Sequence, residues 1–69
     1  MNNHVKLQHC YYEVRPYGKY IRVHAIDPDT GLEAIATGLR SMGQALIQQN
    51  AKNKLEYLIN KKREEQQKR

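Results

Sequence analysis

The residues best equipped for chemistry in this chain crowd into one stretch: Tyr11, Arg15, Lys19, Tyr20, Arg22 and His24. Bases stack on aromatic rings and Arg or Lys neutralises phosphate, so such a mixture suits a nucleic-acid surface. A second cationic group, Lys52, Lys54, Lys61, Lys62 and Arg63, stands toward the C-terminus and is interrupted by Glu56 and Asn60. Its charge suits a phosphate backbone or an acidic protein groove, and equally complements the negative end of a helix dipole. The formal net charge is +5, and it is uneven. Residues 1–40 hold five Lys/Arg against four Asp/Glu, whereas residues 41–69 hold seven against three. An excess of this kind argues for an acidic partner rather than for a fold.

Other constellations lead to less. His4, His9, Cys10 and His24 are zinc-ligand types. No C-x-x-C pair or closely spaced His pair combines them with a fourth ligand, so no metal site is expected. Asp27-Pro28-Asp29-Thr30-Gly31 has the acidic look of a calcium loop. Its glycine comes one position early and Gly38 stands where a bidentate Glu is needed, so the segment reads as a turn. His9 beside Cys10 does not make a catalytic pair, because neighbours on a strand point to opposite faces. No nucleophile elbow, phosphate-cradling loop or pair of carboxylates in a pocket appears, and the expectation is a non-enzyme without catalytic residues or cofactor.

These side chains need a frame, and 69 residues supply one domain at most. Phe and Trp are absent, so the core must be filled by Ile, Leu, Val, Ala and the bodies of five tyrosines. Tyr11 to Arg15 alternates as a short strand, with Tyr12 and Val14 on one side. Arg15-Pro16-Tyr17-Gly18 then reads as a turn with Pro second and Gly fourth, closing a bulged hairpin. Lys19 to Ile26 is the clearest strand, with Ile21, Val23 and Ala25 facing inward and Tyr20, Arg22 and His24 outward. A slip of one residue would bury Arg22 and His24, so its register should be well specified. After the Asp27–Gly31 turn, Leu32 to Thr37 forms a third strand that Gly38 ends. Its inward face is open between Leu32/Ala34/Ala36 and Ile35.

Ser41-Met42-Gly43-Gln44 has the S-x-x-Q form of a capping box, predicting a helix that starts there. Ile47, Ala51, Leu55 and Leu58, widened by Leu46 and Ile59, form the stripe to lay on the sheet. The predicted fold is therefore α+β, a three-stranded antiparallel β-meander packed on one C-terminal α-helix (βββα). Residues 1–9 read as a flexible arm, 10–62 as the domain and 63–69 as a charged tail.

The pattern Gly18, Arg22-Val23, Ala25-Ile26-Asp27, Thr30-Gly31 and Glu33, continued by Ala51, Lys54-Leu55 and Tyr57, resembles a family of short uncharacterised bacterial proteins of the DUF type. The likeness spans residues 12–62 and implies a few strands with a terminal helix, and no assigned function. The order of three strands and a helix also looks like the arm-type DNA-binding domain of tyrosine recombinases, whose sheet enters the major groove. That likeness implies a DNA-contacting role for Arg15, Lys19, Arg22 and His24.

A lone cysteine excludes an internal disulfide and fits a reducing compartment. No apolar run approaches the ~20 residues of a membrane span, and MNNHVKLQHC lacks the pattern of a secretory signal. The expectation is a small cytoplasmic module that contacts nucleic acid or an acidic protein, without a membrane. The alternative is a protein–protein accessory factor or a homo-oligomer assembled through an exposed strand edge.

Overall fold

The computed structural model describes the backbone of residues 9–67 and the side chains of residues 9–65. Strands β1 (Tyr11–Tyr17), β2 (Tyr20–Ile26) and β3 (Glu33–Leu39) are followed by a 3-10 turn, Arg40–Met42, and a long helix α1 (Gln44–Gln67). The sheet order is β1-β2-β3 with both pairings antiparallel, so the chain adopts the expected α+β meander on one helix.

The alternation of β2 gives the sheet its two sides. Ile21, Val23 and Ala25 are buried against the helix, while Tyr20 and Arg22 are exposed on the opposite face. Register carries that choice sideways. Val23 lies between Val14 and Ala36, and Ala25 lies between Tyr12 and Ala34. The open question of β3 is thereby answered: Ala34 and Ala36 are buried, and Ile35 is 41% exposed on the other face.

Helix α1 crosses this face over β2 and β3 and scarcely reaches β1. Its buried residues are Ile47, Ala51, Leu55 and Ile59, an unbroken series of four-residue steps. The predicted stripe turns at its end to Leu58, which is 39% exposed; of the two residues that widen it, Ile59 is buried and Leu46 is exposed. A ridge of four-residue steps winds slowly round the helix and follows the twist of the sheet, whereas a step of three swings Leu58 away from it.

Three boundaries differ from the sequence reading. First, Pro16 is inside β1, paired with Ile21, and the hairpin turn consists of Gly18 and Lys19 alone. Gly18 has φ +54°, the conformation a two-residue type II′ loop requires at its first position. Pro16 is tolerated because β1 is an edge strand. Tyr17 and Tyr20 flank the turn as a hydrogen-bonded pair, so the next pair turns the proline nitrogen away from β2.

Second, β3 runs past Gly38 to Leu39, and the Arg40 N–H donates to the Lys19 carbonyl at 2.7 Å. Gly38 is there because the helix comes close: a Cβ would lie 3.0 Å from both Cγ1 and Cδ1 of Ile47. Third, Ser41 is not the helix cap. It lies in the 3-10 turn, and the Ile47 N–H reaches back to the Gly43 carbonyl at 3.5 Å, which makes Gly43 the first cap residue. The chain must reverse direction to lie back across the sheet, and Gly43 does this with φ +95°.

The Asp27–Gly31 segment is a turn held by its own side chains. Asp27, a residue only 4% exposed, accepts through its carboxylate from Thr30 Oγ1 at 2.7 Å and from the Asp29 N–H at 3.3 Å. Thr30 Oγ1 accepts in turn from the Leu32 N–H at 3.1 Å. At the other end of the chain, residues 63–67 of the charged tail continue α1. Of the N-terminal arm, residues 1–8 lie outside the described residues.

Candidate nucleic-acid interface

The face of the sheet turned away from α1 is built in cross-strand rows. Reading from β1 through β2 to β3, they are Tyr11–Ile26–Glu33, Glu13–His24–Ile35, Arg15–Arg22–Thr37 and Tyr17–Tyr20–Leu39. Charge is divided along the strands. At the end away from the hairpin, His24 Nδ1 lies 2.6 Å from Glu33 Oε2, and Glu13 stands in the same row as His24. At the hairpin end, Arg15, Tyr17, Lys19, Tyr20, Arg22 and Leu39 gather, and among the described residues the carboxylate that reaches this group is that of Glu13, at Arg15.

Arg15 stands directly opposite Arg22. Two like charges in that position repel, and the two side chains answer it differently. Arg15 reaches along its own strand to Glu13 Oε2 at 3.2 Å. Arg22 instead lies over the Tyr17 ring, 5.1 Å from its centroid, a contact that leaves its positive charge uncompensated. Arg40 joins this end from beyond β3, where its Nη1 donates to the Gly18 carbonyl at 3.1 Å and fastens the hairpin turn. Lys19, Leu39, Arg40 and Ser41 line a shallow hollow beside it.

Five of the residues singled out in the sequence, Tyr11, Arg15, Tyr20, Arg22 and His24, therefore share the open face, with Lys19 at its turn and Tyr11 at the end away from it. His24 is drawn to the acidic end by Glu33. Tyr17 and Arg40 were missed. Tyr17 was assigned to a turn, and only the Gly-x loop length reveals it as the last strand residue. Arg40 carries no periodic signal, because it lies between β3 and the helix.

The helical cations form a separate group, on the opposite side of the sheet. Lys52 is half-buried, while Lys54, Lys61, Lys62 and Arg63 are exposed. Lys54 Nζ donates to the Ile35 carbonyl at 2.7 Å, so it serves the edge of β3. Lys62 and Arg63 border a shallow cleft with Thr30, Leu32 and Ile59. The two cationic groups do not make one surface.

Tyr12 points to the helix side, and its phenol is pushed above the usual value of 10.0, first by burial, then by its hydrogen bond with the Cys10 thiol, the Cys10 charge and the Glu56 charge. Among the described residues no group of three His, Cys, Asp or Glu is placed to hold a metal ion. Among the same residues, no helix is long and apolar enough to cross a membrane.

Fold and site together define a small α+β domain with one packed sheet face and one open face that is basic and aromatic at its hairpin end. Residues 7–62 match the DUF6898 family, a domain of unknown function, and the chain belongs to that family. No curated protein and no solved structure shows a match. The likeness to the recombinase arm domain accordingly has no support.

Proposed function

We propose that the protein is a non-enzymatic module that binds nucleic acid through the hairpin end of its open sheet face. The observation that carries this reading is Arg22. It is set opposite a second arginine, over a tyrosine ring, with no carboxylate of its own among the described residues. A phosphate between Arg15 and Arg22 relieves their repulsion, and the exposed rings of Tyr17 and Tyr20 offer stacking platforms beside it. A flat, open surface suits an extended strand better than a small substrate, which needs enclosure. A cytoplasmic setting is consistent with the free Cys10 thiol.

The test is an anisotropy titration of labelled single-stranded and duplex oligonucleotides at several salt concentrations. Three phosphate contacts, from Arg15, Lys19 and Arg22, predict that log K falls against log salt with a slope of about −2 for a single strand. Arg22→Gln should weaken binding about tenfold and flatten that slope, whereas Lys61→Gln should leave both unchanged. Absence of binding at low salt removes the proposal.

A further inference from the structure

The two edges of the sheet are treated differently. On β3, the outward carbonyl of Ile35 is taken by the Lys54 ammonium, and a lysine charge at a strand edge deters pairing. On β1, the hydrogen-bonding parity set by the Tyr17/Tyr20 pair turns the main-chain groups of Tyr12, Val14 and Pro16 outward. No described element pairs with that edge, and α1 stops short of covering it. Val14 is only half-buried, and Tyr12 is 38% exposed.

The strand itself, YYEVRPY, is self-complementary about its centre. Turned by a two-fold axis through Val14 and laid antiparallel on its own edge, it sets Val14 against Val14. Glu13 then meets Arg15, Tyr12 meets Pro16 and Tyr11 meets Tyr17. Every pair is favourable: opposite charges on the open face, an aromatic pair beside them, and a ring against proline on the helix side. The main chain agrees. Val14 exchanges both hydrogen bonds with its copy, and each Tyr12 N–H faces a Pro16 carbonyl, so the missing proline N–H costs one bond per chain and no donor is left facing a donor.

We propose that β1 is a homodimer interface, in which a second copy of this chain extends the sheet to six strands in the order β3-β2-β1-β1-β2-β3. The two-fold axis stands perpendicular to the sheet, so both helices lie on one side and both open faces on the other. The helices do not collide. Each sits over β2 and β3, which places their axes about four strand spacings, roughly 19 Å, apart, against a helix diameter of roughly 10–12 Å. This inference does not depend on nucleic-acid binding.

The test is charge reversal read by sedimentation velocity across the micromolar to millimolar range. The wild-type protein should be a concentration-dependent dimer. Glu13→Arg puts Arg against Arg15 of the copy, and Arg15→Glu puts Glu against Glu13, so each variant alone should dissociate at least about tenfold more readily. Mixed together, the two variants restore both opposite-charge pairs and should form a heterodimer in a one-to-one ratio. Circular dichroism reports whether each variant is folded, and recovery on mixing excludes simple misfolding. A wild-type monomer over the whole range, a dimer that survives both reversals, or a mixture that fails to associate overturns the proposal.

Discussion

Replacing Gly38 by alanine tests how closely helix and sheet fit. Gly38 is an extended residue of β3 opposite Ile21, so its backbone conformation is open to alanine. The obstacle is spatial: the new methyl would stand 3.0 Å from Cγ1 and Cδ1 of Ile47 and 3.3 Å from Met42 Sδ. Met42 is exposed and can step aside, and a terminal Cδ1 can rotate. Cγ1 cannot, because a β-branched side chain in a helix is held in one χ1 rotamer and Ile47 is 1% exposed. Overpacking of this kind costs about 1–3 kcal/mol, and the lost freedom of the unfolded glycine returns about 0.4–1 kcal/mol. The net is a loss of about 1 kcal/mol, which for a domain of this size lowers the melting temperature by about 4–8 °C. Ile47→Ala removes both Cγ1 and Cδ1 and by itself costs about 2–5 kcal/mol. In the double variant the two losses should sum to less than their separate values by at least about 0.5 kcal/mol. Urea unfolding of the four proteins in the cycle measures this. A Gly38→Ala protein as stable as the parent, or strictly additive losses, would refute the claim that Ile47 is fixed against the sheet.

Asp27→Ala deletes the buried acceptor of Thr30 Oγ1 and the Asp29 N–H, and should lower unfolding stability by about 1–3 kcal/mol without altering the sheet signal in circular dichroism. For Tyr12, whose phenol is held above its ordinary value of 10.0 mainly by burial, the sign follows from which state prefers the proton. The folded state favours the neutral ring, so its contribution is complete below pH 10 and is lost as pH climbs through the folded value. Unfolding midpoints should therefore begin to fall above that pH, and Tyr12→Phe should shrink the fall.

What could be read in advance follows from how local each signal is. The strand β2 was legible because its alternation is strict and both faces would be wrong after a one-residue slip. The Asp27–Gly31 turn was legible because its residues bond to one another. Pro16 misled, because proline suits a turn and also suits an edge strand, and only sheet order distinguishes them. Ser41 and Gln44 misled for a similar reason. Their spacing fits a capping box, but the bond from the Arg40 N–H to Lys19 keeps the chain in the sheet register, and the reversal falls to Gly43. At the site, the residue types were visible and their grouping was not. Nothing local says that Arg22 faces Arg15 while His24 turns to Glu33, because both facts depend on register and on a neighbouring strand.

The two proposals meet in Glu13, which separates them. In one chain Glu13 holds Arg15 at 3.2 Å, and in the two-fold sheet it would lie directly opposite the copy's Arg15. Glu13→Arg therefore breaks the dimer while making the open face more basic. If charge alone governs nucleic-acid binding, this variant binds more tightly to every oligonucleotide. If the dimer is the binding unit, length decides. The two Arg22 side chains would stand about 16 Å apart on the same face, three strand spacings across and one residue step to either side of the axis. A strand long enough to bridge them gains from the second site being tethered, and a shorter one does not. The expected result is that Glu13→Arg binds short oligonucleotides at least as well as the parent and long ones less well. Equal tightening at both lengths would leave the hairpin end as a binding site and remove any role for the two-fold sheet in presenting it.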